Sequence, residues 1–398
     1  MARLTSVDDA IATVLAHATV LPTEDVATDA ADGRVLAEPA VAAIDLPPFP
    51  SSSMDGYAIR VDDVPGTLAI VGEAAAGRPS GLVLRSGEAI AVSTGGVVPT
   101  GADAVVPIEH VSVSQGRVTV PAAVVDKANI RGQGGDVRQG TVIARAGDAV
   151  SPRVLAGLAA AGVARVRCAR RPSVAIVTTG TELRAPGERL ADGQIYESNG
   201  PMLAALCERA GATVSLTRGV ADDSASHRTA LAAALEYDVV VTSGGVSVGQ
   251  HDLVRGTLED LGATELLWGV AMRPGKPLLL AQRGRTLVFG LPGNPVSSLV
   301  SAMLFVVPTL AALQGLIEPG PCFAHGTLAS AVTARPDRDD FPRAGLEIGA
   351  SGVAVLEPLR GQESHMIVAS SRADAVIRIP AGLGTIPAGS AVDYLRLD

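Results

Sequence analysis

The sequence predicts an α/β protein of several domains, and three observations support this fold class. Its 398 residues exceed what one hydrophobic core usually serves, so two to four domains are expected. Between residues 172 and 317, strand-like apolar runs alternate with helical patterns, which is typical of a doubly wound parallel sheet. Residues 44–139 and the end of the chain show short strand-like runs separated by glycine and proline turns, which indicates β domains.

These changes of pattern divide the chain into four predicted domains. They are an N-terminal helical and linker domain (1–43 and 140–171), an inserted β domain (44–139), the doubly wound domain (172–317) and a C-terminal domain resembling a β-barrel (318–398). Ser6 begins a capping-box pattern that predicts a first helix ending near His17. Ser151 and Pro152 open an alanine-rich helical segment after the β domain, which therefore interrupts helical sequence.

In the doubly wound domain, apolar β-branched runs predict strands and amphipathic stretches predict helices. The predicted strands span 173–177, 213–217 and 238–242 and lie near Leu278 and Leu287, and the predicted helices span 199–209, 224–235, 251–261 and 296–314. Gly211 follows its helix in a capping position. The stretch 296–317 is apolar enough to cross a membrane, but Pro308 and Gln314 interrupt it, so we expect a buried helix.

Composition and charge exclude several classes of function. The formal net charge of −9, with no basic block, argues against nucleic acid or an acidic membrane surface as a partner. Cys168, Cys207 and Cys322 are scattered, so neither a zinc site nor a disulfide framework is expected. Asp8 and Asp9 stand where a signal peptide would need apolar residues, which predicts a cytoplasmic protein.

Three loops of the doubly wound domain have compositions suited to an anionic, phosphorylated ligand. They contain Ser243, Gly244, Gly245 and Ser247; Arg273, Pro274, Gly275, Lys276 and Pro277; and Pro292, Gly293, Asn294 and Pro295. Glycine lets backbone N–H groups approach an anion closely, and proline limits the entropy that is lost on binding. Lys276 is one of only two lysines in a chain that otherwise uses arginine, the other being Lys127.

Three acids, Glu182, Asp222 and Asp252, each follow a predicted strand and are expected at the ligand-binding edge of the sheet. Each alone is better explained as a helix-capping acid than as a site residue, and Asp223 or Ser224 also fits a cap. Three carboxylates at one edge are suitable ligands for Mg²⁺ together with phosphate oxygens. We therefore predict a divalent-cation site at these three acids, with Mg²⁺ as the cofactor.

The Gly-rich loop also allows an alternative interpretation as a serine hydrolase. Gly245, Ser247 and Gly249 match G-x-S-x-G, and the motif lies between a predicted strand and a predicted helix. A catalytic triad would also need an Asp and a His further along the chain, but His325 and His365 lie beyond the predicted domain boundary. A Ser247 that reacts as a nucleophile would favour the hydrolase interpretation, and an unreactive Ser247 would favour anion binding.

Taken together, the motifs resemble the molybdopterin molybdotransferase family, which comprises bacterial MoeA and the E domain of gephyrin. The matching stretches follow in order through about the first 315 residues: 53–58, 94–99, 101–106, 129–131, 135–136, 179–183, 243–252, 273–277 and 291–295. Three positions depart from the family's usual pattern. Pro50-Ser51 replaces Asp-Asn, Gln250 replaces an acid, and residues 363–366 replace a Ser-Gly-Met-like stretch.

This resemblance implies a function and a set of site residues. It implies that adenylylated molybdopterin and molybdate give molybdenum cofactor and AMP with a divalent cation. The catalytic positions implied are Asp55, Thr94, Asp136, Glu182, Asp222, Asp252 and Lys276. The substrate-binding positions implied are Ser243, Gly244, Gly245, Ser247, Arg273, Pro292, Asn294 and Pro295.

The resemblance also implies an oligomeric state and a set of protein partners. It implies a four-domain homodimer whose cleft lies between the doubly wound domain of one subunit and the β domain of the other. A molybdopterin adenylyltransferase and the apo-molybdoenzymes that receive the cofactor are the further partners implied. A gephyrin-like scaffold that binds molybdopterin without catalysis is the alternative. The absence of a long low-complexity linker from the sequence disfavours it.

Overall fold

The computed structural model describes residues 4–245, 253–349 and 352–397. The chain begins with α1 (Val7–His17), β1 (Thr23–Ala27) and β2 (Ala40–Val41). It then forms the inserted β region: β3 (Ser51–Ser52), β4 (Gly56–Ile59), β5 (Gly66–Ala74), β6 (Glu88–Val92), β7 (Ala104–Pro107), β8 (Ser112–Ser114), β9 (Arg117–Val120) and β10 (Ile130–Arg131). It returns with β11 (Val142–Ala144), α2 (Pro152–Ala160) and β12 (Arg165–Ala169).

Strand pairing joins the two ends of this first region. β1 pairs antiparallel with β12, and β2 pairs antiparallel with β11, so the chain leaves and re-enters side by side. Between these pairs, a six-stranded sheet forms in the order β7-β4-β6-β5-β9-β8. The region therefore contains paired strands as well as the expected helices. The boundaries at 43/44 and 139/140 are consistent with the pairing and stay predictions.

The first helix, α1, packs in the core of the doubly wound domain and not with α2. Ser6 caps α1 as predicted, because its Oγ accepts a hydrogen bond of 3.1 Å from the Asp9 backbone N–H. The buried face of α1, which includes Val7 and Val14, belongs to the core of the doubly wound domain. Asp8 on the same helix receives two hydrogen bonds of 2.9 Å from Arg378, near the end of the chain.

The doubly wound domain contains most of the helices and the largest part of the core. Its elements are β13 (Ser173–Thr179), β14 (Leu183–Arg184), β15 (Ile195–Tyr196), α3 (Asn199–Arg209), β16 (Thr213–Val220), α4 (Ser224–Ala234), β17 (Val239–Ser243), α5 (Leu253–Asp260), β18 (Thr264–Trp268), β19 (Met272–Arg273), β20 (Leu279–Arg283), β21 (Thr286–Leu291), α6 (Pro295–Ser301) and α7 (Val307–Leu313). A π-helical turn at Ala302–Val306 joins the last two helices.

Its main sheet has the strand order β16-β13-β17-β21-β20-β18. The first four strands are parallel, as predicted, whereas β20 and β18 are antiparallel to their neighbours. The sheet is therefore mixed at one edge, which differs from the fully parallel sheet expected. The reason is local: only two residues separate β20 from β21, and a parallel crossover needs a much longer connection.

Alternating side chains of the parallel strands pack against helices on both faces of this sheet. Val174 and Ile176 face the core shared with α1, α3, α6 and α7, while Ala175 and Val177 face the core shared with α4 and α5. This alternation confirms the doubly wound arrangement. The carboxyl ends of β13, β16, β17 and β21 consequently meet at one edge, which is where such folds bind ligands.

One helix of the described residues, Pro295–Leu313, is long and apolar enough to cross a membrane by length and composition alone. Buried residues make up 72% of its most apolar window, because it packs in the core of the doubly wound domain. It is therefore the buried helix that the sequence predicts. A cytoplasmic location, and the lack of a nucleic-acid or membrane partner, stay predictions.

The C-terminal region forms a small barrel, as predicted. Its elements are β22 (Ala324–Leu328), β23 (Val332–Thr333), β24 (Asp339–Asp340), β25 (Arg343–Ile348), β26 (Ala354–Pro358), α8 (Ile367–Ser370), β27 (Ala375–Arg378), β28 (Thr385–Ile386) and β29 (Ala391–Arg396). The strands β22-β26-β25-β27-β29 close the barrel. Outside it, β24 pairs in parallel with β19, which ties this domain to the loop that carries Arg273.

Candidate active site

A cavity of about 700 Å³ lies at the carboxyl edge of the parallel strands. Loops after β13, β17 and β21 line it, and the last two are among the three loops that the sequence analysis assigned to an anionic ligand. Only Pro277 of the remaining selected loop lines it. The lining residues predicted from the sequence are Glu182, Asp222, Ser243, Gly244, Gly245, Pro292, Asn294 and Pro295. The structure therefore places eight predicted positions, from four segments of the chain, around one space.

The loop after β17 needs glycine at both Gly244 and Gly245. Their φ angles are +94° and +69°, in the left-handed region that other residues rarely adopt. A Cβ atom on Gly244 would also lie 2.8 Å from the carbonyl oxygen of Thr179, a contact that side chains essentially never make. The absence of a side chain therefore lets the Gly-rich loop pass directly beside the end of β13.

Asn199, which the sequence analysis did not select, connects three sides of the cavity. Its Nδ2 donates hydrogen bonds of 2.8 Å to both Ser243 Oγ and the Gly293 carbonyl oxygen. These bonds hold the start of α3 against the end of β17 and the loop after β21. The side chain is buried, lines the cavity, and keeps its Oδ1 without a hydrogen-bond partner among the described residues.

Glu197 is a second lining residue that the sequence analysis missed. It is only 3% exposed, and its Oε1 accepts a hydrogen bond of 2.7 Å from the Gly200 backbone N–H at the start of α3. Its Oε2 has no hydrogen-bond partner within the described residues and lies 3.8 Å from Nε of Arg218. The spacing of an acid three residues before a helical N–H was the signal available in the sequence, and it indicates only a cap.

Glu182 and Asp222, the two acids of the predicted cation site that the structure describes, have different neighbours. Oδ2 of Asp222 accepts hydrogen bonds from the Thr181 backbone N–H at 3.1 Å and from its hydroxyl at 3.3 Å. The Glu182 carboxylate forms no such hydrogen bond within the described residues and lies close to Gly180. Asp223 caps α4 instead, and hydrogen bonds from Ser226 lower the pKa of that carboxyl.

The predicted metal site is only partly within the described residues. Glu182 and Asp222 line the cavity, but Asp252 and Ser247 lie outside the residues that the structure describes. Across 4–245, 253–349 and 352–397, no group of three His, Cys, Asp or Glu residues is placed to hold a metal ion. The three-acid cation site and the hydrolase interpretation of Ser247 therefore both stay predictions.

A second cavity of about 420 Å³ adjoins the first and is cationic. The predicted site residues Arg273 and Lys276 line it, together with Arg338 and a loop of the C-terminal domain that includes Glu363 and His365. Its three Arg and Lys side chains outnumber its one acid. Arg338 pairs with Asp337 at 2.9 Å, whereas neither Arg273 nor Lys276 forms an ion pair within the described chain. Pro277 and His365 line both cavities, so the two cavities lie side by side.

A buried arginine shapes the loop that brings His365 to the site. Arg343 is 1% exposed and donates hydrogen bonds to the carbonyl oxygens of Gly361 (2.5 Å) and Met366 (2.8 Å) and to Ser370 Oγ (2.6 Å). Burial lowers the pKa of this guanidinium, against an opposing effect of Glu363. Loop 361–366 is therefore held from inside the C-terminal domain, by a contact that sequence spacing does not reveal.

The three predicted residues of the β domain lie away from both cavities of their own chain. Asp55 Oδ1 accepts hydrogen bonds from the Thr94 backbone N–H at 2.6 Å and from its hydroxyl at 3.0 Å, and these bonds lower the pKa of Asp55. Both side chains are exposed, and so is Asp136. Asp55 and Thr94 thus form an ordered, anionic pair on the surface of the β domain.

Comparison with family models covers most of the chain. The MoeA N-terminal region (domain I and II) matches residues 5–162, a probable molybdopterin binding domain matches residues 175–312, and the MoeA C-terminal region (domain IV) matches residues 325–397. The cavity-lining loops after β13, β17 and β21 fall in the second of these matches, and His365 falls in the third.

Individual relatives match over nearly their whole length. Molybdopterin molybdenumtransferase 2 of Mycobacterium tuberculosis is 35% identical over 383 residues, covering 92% of this chain and 93% of that protein. Molybdopterin molybdenumtransferase of Staphylococcus aureus is 32% identical over 397 residues, covering 98% and 94%. The crystal structure of the molybdopterin biosynthesis MoeA protein from Pyrococcus horikoshii superposes with a TM-score of 0.83 at 29% identity, covering 99% of this chain and all of that one.

Proposed function

Since this chain belongs to the MoeA family of molybdopterin molybdenumtransferases, as its motifs predicted, we propose that it inserts molybdate into adenylylated molybdopterin and releases AMP. Membership makes the chain an enzyme of molybdenum cofactor biosynthesis. The observation that carries the finer proposal is the junction of the two cavities at Pro277 and His365. An elongated organic ligand and a small oxyanion can thereby bind side by side.

The smaller cavity is suited to molybdate. Arg273 and Lys276 bring two positive charges that the described residues leave without an ion pair, and Ser297 adds a hydroxyl. A dianion placed between them would be held by charge-assisted hydrogen bonds, which are stronger than neutral ones. The overall net charge of −9 makes this local positive potential more necessary, because the protein as a whole repels anions.

The larger cavity is suited to the phosphate-containing part of the substrate. Gly244 and Gly245 expose backbone at the end of β17, where phosphate groups commonly bind. The carboxylates of Glu182 and Asp222 fit a Mg²⁺ ion, because this cation usually uses one or two carboxylates with the remaining ligands from phosphate and water. Asp252 is the further predicted ligand. A bound cation would stabilise the charge that develops as the phosphoanhydride link breaks and AMP leaves.

We propose that a second subunit completes this site with Asp55, Thr94 and Asp136. The support is that Asp55 and Thr94 are exposed and already ordered by hydrogen bonds, yet line neither cavity of their own chain. In a homodimer that places the β domain of one subunit over the sheet edge of the other, these groups would face the ligand. A molybdopterin adenylyltransferase would supply the substrate, and apo-molybdoenzymes would receive the product.

The direct test is to incubate the protein with adenylylated molybdopterin, molybdate and Mg²⁺ and to measure AMP. AMP release that depends on molybdate and Mg²⁺ is expected. Lys276→Ala should reduce it strongly, whereas Lys127→Ala, at the only other lysine, should leave it unchanged. Lys276→Arg should rescue poorly, because the planar guanidinium differs from the ammonium in reach and geometry.

Two other results would support the alternatives. Tight binding of adenylylated molybdopterin by the folded protein without any AMP release would favour a scaffold that binds molybdopterin without catalysis. Stoichiometric labelling of Ser247 by a fluorophosphonate would favour the serine hydrolase, since only an activated serine reacts with that reagent.

A further inference from the structure

We propose that His365 relays protons between the two reactants, accepting a proton from a thiol of molybdopterin and passing it to the molybdate oxygen that leaves as water. This inference rests on the proposed function and adds a catalytic residue to it. His365 lies where the two cavities adjoin, because among the described residues only Pro277 and His365 line both of them. The proline side chain has no proton to exchange, so His365 is the one of the two that can transfer protons.

The insertion of molybdate requires protons to move from sulfur to oxygen. Molybdopterin carries two adjacent thiols, and two Mo–S bonds form while one Mo–O bond breaks. The released oxygen takes up both thiol protons and leaves as one water, so a dithiol and MoO₄²⁻ give a dithiolene-bound MoO₃²⁻ and H₂O. Molybdenum stays hexavalent, and the step consumes no oxidant or reductant. A group that lies between the thiols and the molybdate can therefore accelerate the step by carrying these protons.

The backbone around His365 is fixed, whereas its side chain is free. The Ser364 carbonyl oxygen accepts a hydrogen bond of 3.1 Å from the Val296 N–H in the first turn of α6. The Met366 carbonyl oxygen accepts one of 2.8 Å from Arg343. His365 itself is exposed, and its imidazole forms no hydrogen bond or ion pair within the described parts of the chain. The fold therefore holds residue 365 from both sides without using its ring, which both ring nitrogens leave open to a ligand.

The other charged groups that line the cavities are less suited to this relay. Charged arginine and lysine side chains only donate hydrogen bonds, and an ionised carboxylate only accepts them. Neutral imidazole does both through its two ring nitrogens, and histidine ordinarily gains and loses its proton between about pH 5 and 8. Each of these other groups lines one cavity only: Arg273, Lys276, Arg338 and Glu363 the smaller, and Glu182, Glu197 and Asp222 the larger. The cationic groups are therefore suited to holding molybdate, and His365 is suited to moving protons.

The test compares wild type with His365→Gln in a single turnover of adenylylated molybdopterin, molybdate and Mg²⁺, so that product release does not mask the chemical step. Glutamine forms hydrogen bonds but does not exchange a proton at neutral pH. The rate of molybdate-dependent AMP release at about pH 7 should fall about 100-fold, at the lower end of what general acid–base catalysis usually contributes. The wild-type rate should also fall as the pH drops from about 8 to 5, because imidazolium cannot accept the thiol proton. This pH dependence should be absent from His365→Gln.

Two further measurements separate proton transfer from binding. The dissociation constant for molybdate should change by less than about twofold in His365→Gln, because the charge-assisted bonds of Arg273 and Lys276 remain. Added imidazole should restore part of the rate of His365→Ala, because the exposed position leaves room for it. The control is His325→Gln, at an exposed histidine of the same domain that lines neither cavity. It should match wild type in rate, pH dependence and molybdate affinity.

The possible outcomes separate this inference from the function on which it rests. A His365→Gln rate within about threefold of wild type at every pH would overturn the relay. So would a loss of molybdate affinity as large as the loss of rate, since His365 would then only bind the oxyanion. A lack of rescue of His365→Ala by imidazole would also overturn it. If wild type releases no AMP with molybdate and Mg²⁺, the proposed function itself is contradicted, and the relay with it.

Discussion

Replacement of Arg343 by methionine should loosen the loop that brings His365 to the site. Methionine fills much of the same volume but donates no hydrogen bond. The Gly361 carbonyl oxygen would lose its 2.5 Å bond from Arg343. The Met366 carbonyl oxygen would keep hydrogen bonds from the Ser370 hydroxyl at 3.2 Å and from the Ser370 backbone N–H at 3.3 Å.

The size of the effect follows from these lost bonds. Each partly buried acceptor left without a donor costs about 1–3 kcal/mol, and removal of a buried charge offsets part of the sum. We therefore expect the free energy of opening of residues 361–371 to fall by about 2–3 kcal/mol. Every 1.4 kcal/mol is tenfold, so hydrogen exchange should accelerate about 30- to 140-fold there.

Native-state hydrogen exchange measures this change residue by residue without assuming that the whole chain unfolds in one step. The backbone N–H groups of Met366 and Ser370 are hydrogen-bonded to Glu363 and Met366 and serve as reporters. The amides of β29 serve as internal controls, and exposed Arg372→Met serves as a matched variant in the same domain. Exchange of residues 361–371 within threefold of wild type would refute the reasoning. The KM for molybdate should rise with the loosened loop, because the loop lines the cationic cavity.

Three other predictions test separate features. Burial alone would raise the pKa of Asp238, but hydrogen bonds from Arg170 and Ser173 outweigh it and lower the pKa. The stabilisation that the Asp238 carboxylate gives the folded state is therefore complete above its unfolded-state pKa of about 3.9. This stabilisation is lost as the pH falls through the pKa of Asp238 in the folded state. The Tm advantage of wild type over Asp238→Asn should be constant above about pH 5 and should shrink below about pH 4; a constant difference to pH 3 contradicts this. Gly244→Ala should lower the free energy of unfolding by about 1–3 kcal/mol, measured in urea, whereas Gly320→Ala, with open space around it, should have no effect. Asp55→Asn and Asp252→Asn should each abolish AMP release and should restore part of it when their subunits are exchanged. A lack of recovery in verified heterodimers would exclude a shared site.

The parts of the fold that depend on local sequence could be predicted. The cap at Ser6, the limits of α3 at Asn199–Arg209 and the strand that begins at Ser173 all depend on neighbouring residues, and the structure confirms them. The loops after parallel strands were also predictable as a group, because the ends of such strands meet at one edge. This is why Gly244 and Asn294 were correctly assigned to one cavity.

The rest of the site depends on contacts between distant residues. Arg343 reaches Gly361 through the interior of the C-terminal domain, and Asn199 reaches Gly293 across 94 positions. No periodicity or spacing records such contacts. The strand β18 was missed because Glu265 and Thr264 weaken its apolar pattern, although its pairing with β20 stabilises it. Sequence patterns therefore predicted the loops that line the cavity and missed the side chains that hold these loops in place.

The packing of α1 sets an order in which the protein can be completed on the ribosome. Val7 and Val14 need the core formed with α7, and the Leu21 N–H donates to the Leu313 carbonyl oxygen. At about 5–20 residues per second, roughly 300 residues and some 15–60 s separate synthesis of the two partners. During this interval the apolar face of the first helix has no native partner, so a nascent chain exposes it to chaperones. A segment made some 300 residues before its partner is thus among the last to be secured.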